Sequence, residues 1–335
     1  MTKYIRSFFL VLIVVISILM ILLGALSLIH DVPYWFVKIM DFPRLQYLII
    51  SLICLITLLF IKRKWTITYV LIVLGLLFSI LIQSLKIGPY LLGKKVVPDV
   101  QIQEKERFSV KIIIANVLMT NRSSDEFLKL INKNEPHVVL AMEVNDWWVK
   151  ELSILEESFP YKMEYPLDNA YGLLLYSKLP LTNPEIKFLK HSDVPSFHAT
   201  MTLPGGEEFS FHGIHPVAPF PSAKYPDNVG EEELALHKVG ALVAKETIPS
   251  VVAGDFNDVS WSKTTRFFED QGDLKNVRLG RGLYNTFNAE SLVMRWPLDH
   301  FFVTEEFRVK EFKRLEKIGS DHFPLMAEFV LPSSD

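Results

Sequence analysis

Three long runs without a charge dominate the front of the chain: Ser7–Ile29, Leu45–Ile61 and Trp65–Leu85. At a rise of about 1.5 Å per residue, the first and third predict helices that match the roughly 30 Å hydrocarbon core of a bilayer, and the second sits at the short limit. Lys3 and Arg6 ahead of the first run would also suit a signal peptide. That run is too long for one, however, lacks a clean small-residue cleavage site, and is followed by two more spans. The pattern predicts a membrane anchor over 1–85, with transmembrane helices at about 7–29, 45–61 and 65–85. Gly24 and Gly75 read as helix-packing positions, and the spans contain no ionisable residue that would mark a transport path.

Behind the anchor the pattern changes. Residues 86–108, with Pro89, Gly93, Pro98 and a mixed-charge stretch, read as a linker. From 109 to 335, short apolar runs alternate with helical periodicity. Strands are expected at Val110–Val117, Val138–Val144, Gly172–Ser177, His198–Leu203, Glu208–His215, Ser250–Asp255, Leu298–Val303 and Phe323–Val330. Helices are expected at 124–134, entered through Ser123-x-x-Glu126, and at 145–158, 231–246 and 263–270. Many strands interleaved with a few helices indicate one layered α/β or α+β domain.

Composition sharpens the division. The whole chain is 50% hydrophobic and 22% charged with a net charge of −3, and its mean hydropathy is +0.24. Residues 1–95 carry ten Lys/Arg against Asp31 and Asp41, which leaves 25 basic and 36 acidic residues, a net −11, for the remainder. This excludes a purely soluble enzyme, a disordered chain, and a module that holds nucleic acid by bulk positive charge. The single cysteine, Cys54, excludes an intrachain disulfide framework. The basic turn Lys62–Lys64 must lie on the same side as Lys3 and Arg6. The positive-inside rule places both in the cytoplasm and the domain after the anchor outside it.

The chemistry-bearing residues sit where apolar runs end. Asn116 closes Ile112–Ala115, Glu143 follows Val139–Met142, His215 closes Phe211–Ile214, and Asp255 and Asn257 lie in Gly254-Asp-Phe-Asn257. Asp299 and His300 open a strand, and Asp321 and His322 precede another. Carboxylates placed repeatedly at the mouths of buried strands are costly unless they are paired or bind a cation. With no thiols among them, these oxygen-rich ligands suit Mg²⁺ or Mn²⁺ better than structural zinc.

From about 109 to 331 this series resembles the endonuclease/exonuclease/phosphatase superfamily, which includes deoxyribonucleases, apurinic endonucleases, neutral sphingomyelinases and inositol-polyphosphate phosphatases. The likeness rests on seven elements in one order: Asn116, Glu143, the strand Gly172–Ser177 leading to Lys178-Leu179-Pro180, His215, Gly254–Asn257, Pro297–His300 and Ser320–His322. It implies a four-layer sandwich of two mixed β-sheets flanked by helices. It also implies a metal site at Glu143, supported by Asn116 with Asp321 nearby. By the same resemblance Asp255 activates water, Asn257 orients water or phosphate, His215 and His322 contact phosphoryl oxygens, and Asp299 holds His322. Asn169 and Tyr171 are further substrate-binding candidates.

Each residue also has a plainer reading. Asn116, Asp255 and Asn257 are common turn formers, Glu143 suits a helix start, and His215 alone would pass for a structural histidine. His198, His212 and His237 have no motif support and read as structural, and His300 is left open. The Pro-rich stretch 215–226 reads as a rigid loop whose Phe220 and Tyr225 would otherwise face a membrane or a substrate groove.

The expected activity is divalent-metal-dependent hydrolysis of a phosphoester, with a lipid or envelope-associated substrate favoured by the anchor. A membrane-tethered nuclease is the alternative, disfavoured by the −11 charge. An inactive scaffold is the third, disfavoured by the intact residue set. No protein partner is expected, and the bilayer itself is one.

Overall fold

The computed structural model describes residues 3–29, 34–61, 65–102, 108–226 and 234–331. Three of its helices, α1 (Lys3–Leu26), α3 (Arg44–Ile61) and α4 (Ile67–Leu91), are long and apolar enough to cross a membrane. A single turn, α2 (Trp35–Lys38), lies between the first two. The three long helices pack on one another closely because small residues stand at the contacts. A Cβ on Gly24 would meet the Ser79 side chain, and one on Gly75 would meet Ile21. Ser79 Oγ also donates to the carbonyl of Met20 at 3.2 Å. Lys62–Lys64, which orient the anchor in the sequence reading, lie outside the described residues.

The linker expected from 86 is a different object. Its first six residues are the end of α4, with Pro89 inside the helix, and they dock onto the domain that follows. Gly280 and Gly282 donate backbone N–H bonds to the carbonyls of Pro89 and Tyr90 at 3.1 and 2.9 Å. Val97 joins the domain core, and Val100 N bonds to Val309 O at 3.1 Å.

That domain contains two six-stranded sheets. The strands are β1 (Ser109–Asn116), β2 (Val138–Met142), β3 (Tyr161–Tyr165), β4 (Leu173–Ser177), β5 (Leu181–Phe188) and β6 (Pro195–Thr202). They continue with β7 (Glu208–Ile214), β8 (Ser250–Asp255), β9 (Lys275–Asn276), β10 (Asp299–Val303), β11 (Arg308–Arg314) and β12 (Leu325–Val330). One sheet runs β11-β12-β1-β2-β4-β3 and the other β5-β6-β7-β8-β10-β9. Side-chain alternation builds the layers. Ile112, Ile114, Leu140, Val251, Ala253 and Phe301 point between the sheets into the main core. Ile113, Val139 and Ala141 face outward onto α5 (Ser124–Asn134) and α6 (Asp146–Leu152). Val252 and Phe302 face α7 (Leu234–Val243) and α8 (Lys263–Gln271). The result is a four-layer helix–sheet–sheet–helix sandwich preceded by the three apolar helices.

Eight of the twelve strands coincide with the apolar runs. The other four, β3, β5, β9 and β11, are the four sheet edges. Edge strands carry charge and expose one side to discourage further pairing. The sequence of β11, Arg-Val-Lys-Glu-Phe-Lys-Arg, therefore has no apolar run to reveal it. The helix expected at 231–246 is observed as Leu234–Val243, its acidic start lying outside the described residues. That expected at 145–158 divides into α6 and a 3₁₀ turn at Ser153–Glu157.

An aromatic seam joins the apolar helices to the sandwich. Phe42 and Tyr90 from the front of the chain bury against Val259, Trp261 and Leu298. Trp261 Nε1 donates to Asp41 O at 2.7 Å, and the Tyr90 and Trp261 rings meet edge to face at 5.5 Å. Trp261→Ala should remove about 3–5 kcal/mol of packing and leave the Asp41 carbonyl without its donor. Limited proteolysis of the full chain in detergent should then show faster cleavage around 92–108, with the sandwich itself remaining resistant.

Candidate active site

All the chemistry gathers at one end of the two sheets, for a topological reason. β1 and β2 are parallel, as are β7 and β8. Asn116, Glu143, His215 and Asp255 therefore close their strands at the same rim. β10 and β12 run antiparallel to β8 and β1, so their starts reach that rim too. This brings Asp299 into register with Asp255 and places Ser320, Asp321 and His322 beside Asn116. Gly254 permits the close β7–β8 approach: its φ is +149°, and a Cβ there would run into the carbonyl of Ile214.

Asn116 Nδ2 lies between two carboxylates, 2.8 Å from Glu143 Oε1 and 3.1 Å from Asp255 Oδ2. Glu143 is aimed inward by a left-handed backbone, φ 61°, which costs a non-glycine residue about 1–2 kcal/mol. Its second oxygen accepts from Met119 N at 3.3 Å. Asp255 accepts the N–H of Asn257 on Oδ1 at 2.8 Å, leaving Oδ2 toward the histidines. His322 Nε2 is 3.6 Å and His215 Nε2 3.7 Å from that oxygen. Both separations exceed a hydrogen bond and leave the three groups facing one shared point.

On its far side His322 is firmly held. Nδ1 meets Asp299 Oδ2 at 2.8 Å, its backbone N–H donates to Ser320 Oγ at 3.0 Å, and its ring packs on Phe287 at 4.9 Å. Burial works against a charged ring, but Asp299, Asp255 and Asp321 outweigh it and raise the pKa of His322 to about 10. Burial moves His215 the other way, down to about 4, with Asp255 opposing only in part. The two histidines thus differ at neutral pH, one an imidazolium and one neutral. Burial also raises Asp255, and it raises Glu143 to about 7 with a further push from Asp321.

A pocket holding so much carboxylate fits a cation. Asp255, Asp299 and His322 offer ligand atoms within 4.8 Å of one another. The Asp299–His322 hydrogen bond already uses two of those atoms, so this trio is poorly placed to give all its ligand atoms to an ion. Glu143 and Asp321 are half-buried and oxygen-bearing and form the better donor set for a hard divalent ion, with Asn116 supporting Glu143 through Nδ2 while its Oδ1 accepts from Leu118 N at 3.0 Å. Such an ion would reverse the upward shift of Glu143.

The remaining sequence candidates fall in different places. Asn257 lies at the site with φ 51°, but its Nδ2 donates to Pro216 O at 3.0 Å, so its amide nitrogen braces the loop after His215. Tyr171 presents its ring to His215 at 5.1 Å while its hydroxyl donates to Pro226 O at 3.0 Å. Asn169 braces Tyr171 N at 3.0 Å and Asp193 O at 2.8 Å, so its amide is engaged within the loop. His300 is buried between Ser260 and the carbonyl of Asp258, away from the reacting rim. His198 and His212 form a separate buried chain with Ser196 and Glu246. Arg278 carried no signal in the sequence. Fully buried behind Asp299, it donates to that residue's carbonyl at 2.5 Å and sets a positive charge near its carboxylate. It follows an edge strand, where no apolar run marks it.

With fold and site described, the chain is placed by comparison. It belongs to the Endonuclease/Exonuclease/phosphatase family, whose model matches residues 113–322. Members of this family are generally hydrolases acting on phosphoesters and generally depend on a divalent metal. Similar solved structures include a humanized D. rerio TDP2, 16% identical with a TM-score of 0.54, covering 66% of this chain and 99% of that one. An endonuclease/exonuclease/phosphatase from Bacteroides vulgatus is 18% identical with a TM-score of 0.54, covering 68% and 100%. The human nocturnin catalytic domain with bound sulfate is 16% identical with a TM-score of 0.53, covering 67% and 95%. Identities this low speak for the fold alone. No curated protein sequence matches.

Asp299→Asn should lower the titration of His322, followed by NMR in metal-free protein, from about 10 toward the ordinary 6.5. The sign follows from the raised pKa. Stability contributed by charged His322 is complete below the unfolded value and is lost as pH rises toward about 10. If the pair works as one unit, Asp299→Asn and His322→Ala should each cost a few orders of magnitude in rate, and the double variant little more than the worse single one.

Proposed function

We propose that this chain is a membrane-anchored, divalent-metal-dependent phosphoesterase that hydrolyses its substrate by attack of a water activated by Asp255. The observation that carries the reading is the convergence of Asp255 Oδ2 with two imidazole nitrogens at 3.6 and 3.7 Å. A carboxylate base, one charged imidazole and one neutral imidazole there face one shared point.

In this mechanism Asn116 and Asn257 fix Asp255 so that Oδ2 accepts the proton of the attacking water. His322, kept charged by Asp299, donates to a phosphoryl oxygen through Nε2, where negative charge grows as the phosphorus–oxygen bonds rearrange. His215 supplies a second, neutral contact to the same group. A divalent ion, Mg²⁺ or Mn²⁺, held by Glu143 with Asp321 and Asn116, would supply Lewis-acid neutralisation of phosphoryl charge.

A substrate at the membrane is favoured over nucleic acid for two reasons. The −11 balance of residues 96–335 opposes a polyanion carrying one charge per roughly 1.7 Å. In addition, the Pro-rich loop after His215 meets the front of the chain, with Phe220 5.8 Å from Trp35 and 6.5 Å from Phe42. The reaction rim therefore lies next to the apolar helices. Arg6 donates to the carbonyl of Ile61 at the opposite end of the bundle. That placement accords with a cytoplasmic N-terminus and an extracytoplasmic site.

The test uses the full chain in nanodiscs, with mixed phospholipids, plasmid and single-stranded DNA, and bis-p-nitrophenyl phosphate offered separately. EDTA should abolish turnover, Mg²⁺ or Mn²⁺ should restore it, and Asp255→Asn should lower it by a few orders of magnitude. Full activity in EDTA would remove the metal from the mechanism. Efficient plasmid cleavage at physiological salt with every lipid intact would make the protein a tethered nuclease.

Orientation is checked separately. A periplasmic-type phosphatase reporter fused after Asp335 should be active, and a reporter that works only in the cytoplasm should be silent. The reverse pattern would place the site inside the cell.

A further inference from the structure

Beside the reaction rim, on the side toward the apolar helices, lies a second concavity. It is a cleft of about 700 Å³ between the first turns of α3, represented by Leu45, Gln46 and Ile49, and the sandwich surface that carries Arg295 and Arg314. Its size falls within the range of small-ligand sites. It is separate from the catalytic groups but adjoins them, since Phe323, the ring beneath both arginines, directly follows His322.

The two guanidinium groups are unusual in what surrounds them. Arg295 lies 5.0 Å and Arg314 4.3 Å from the centroid of the same Phe323 ring. Their protein hydrogen bonds go only part-way. Arg295 donates to the carbonyls of Asn288 and Ala289 at 3.2 and 3.4 Å, and Arg314 to the carbonyl of Asn285 at 2.7 Å. Neither forms an ion pair among the described residues, whereas nearby Lys313 is paired with Glu311 at 2.9 Å. Burial lowers the pKa of Arg314, and the charge of Arg295 lowers it further. Two like charges share one aromatic platform, then, with fixed N–H donors left over and no paired carboxylate among the described residues. That geometry suits an anion with two acceptor oxygens.

The opposite wall specifies the rest of the ligand. Leu45 and Ile49 are apolar and belong to a helix long enough to cross a bilayer. Leu292 and Val293 on the sandwich side are 88% and 69% exposed, and Gln46 Nε2 ties this loop to α3 through the Val293 carbonyl at 2.6 Å. Exposed aliphatic side chains beside the start of an apolar helix, next to an unbalanced cationic pair, form an amphipathic cleft.

We propose that this cleft binds the phosphate headgroup of an anionic lipid, with Arg295 and Arg314 on the phosphate and the acyl chains along α3. The proposal rests on the reading of α3 as a membrane helix and requires no particular reaction at the neighbouring site. The lipid would sit within a few residues of His322.

The experiment measures binding to the full chain in non-ionic detergent by native mass spectrometry and calorimetry. EDTA is present throughout so that no metal-dependent turnover intervenes. This keeps a failure here distinguishable from a failure of the phosphoesterase reading, which is judged by turnover in Mg²⁺. The probes are dioctanoyl phosphatidylglycerol, dioctanoyl phosphatidylcholine and inorganic phosphate. Phosphatidylglycerol should bind with clear preference, and Arg295→Gln and Arg314→Gln should each weaken it roughly tenfold. Arg314→Lys should retain part of the affinity, and Leu45→Trp, which fills the cleft from the α3 side, should block it with the arginines intact.

Inorganic phosphate binding as tightly as the lipid would overturn the lipid source and leave a free-phosphate site. Equal binding of phosphatidylcholine, indifferent to the arginine variants, would reduce the cleft to an apolar crevice. An absence of binding by every probe, in variants that keep the wild-type melting temperature, would overturn the proposal.

Discussion

One imidazolium organises the centre of this molecule. Glu143, Asp255, Asp299 and Asp321 converge on the rim shared by two sheets, where each carboxylate would be expensive to bury alone. His322 interacts with all four, through a 2.8 Å bond to Asp299 and through field effects on the others. The charge that would let it donate to a phosphoryl oxygen in the proposed mechanism is the same charge that makes this acidic rim tolerable in the folded state. The proposed catalytic role and the structural role therefore rest on one charge at this position. Arg278, buried behind Asp299, extends the alternation of signs into the core.

A second dependence runs from the front of the chain into that centre. Phe42 meets Trp296 at 5.9 Å, Trp296 stacks on Phe287 at 6.0 Å, and Phe287 packs on His322 at 4.9 Å. The apolar helices are thus more than a tether from which an independent enzyme hangs. The segment between them completes the aromatic packing behind the His322 ring, and α4 continues into the domain surface through Pro89 and Tyr90. Excision of residues 1–95 would expose Trp261 and Trp296 together.

The same arrangement bears on substrate. A reaction rim lined by the loop from His215 to Pro226 and placed against Trp35 and Phe42 is limited in the directions from which it can be approached. Substrates presented by a surface gain from such placement through effective concentration. A long flexible polyanion is opposed by the net negative charge of the domain. Fold likeness to TDP2 and nocturnin does not choose between these, because one sandwich hosts many phosphoester chemistries.

How far the chain could be read in advance follows from where each feature stores its information. Buried strands announce themselves because both faces must be apolar, and the eight interior strands, from β1 to β12, were legible for that reason. The four edge strands were not, because charged side chains that face solvent and discourage further pairing interrupt any apolar run. Asn116, Glu143, His215 and Asp255 were visible as polar groups closing apolar runs, Asp299 and His322 as polar groups at the entry to them, and their family order assigned all six to one site. Arg278, Phe287, Arg295 and Arg314 were invisible. They lie in irregular or edge segments, and their meaning depends on neighbours distant in sequence. By itself the sequence determined three apolar spans, one layered domain of alternating strands and helices, and the chemical inventory of the site, since each is written in local periodicity and residue type; the division into two sheets came only with the family resemblance. Only the tertiary structure decided that His322 is charged while His215 is neutral, and that the supposed linker begins as a docked helix. Both depend on distances between segments that no local pattern encodes.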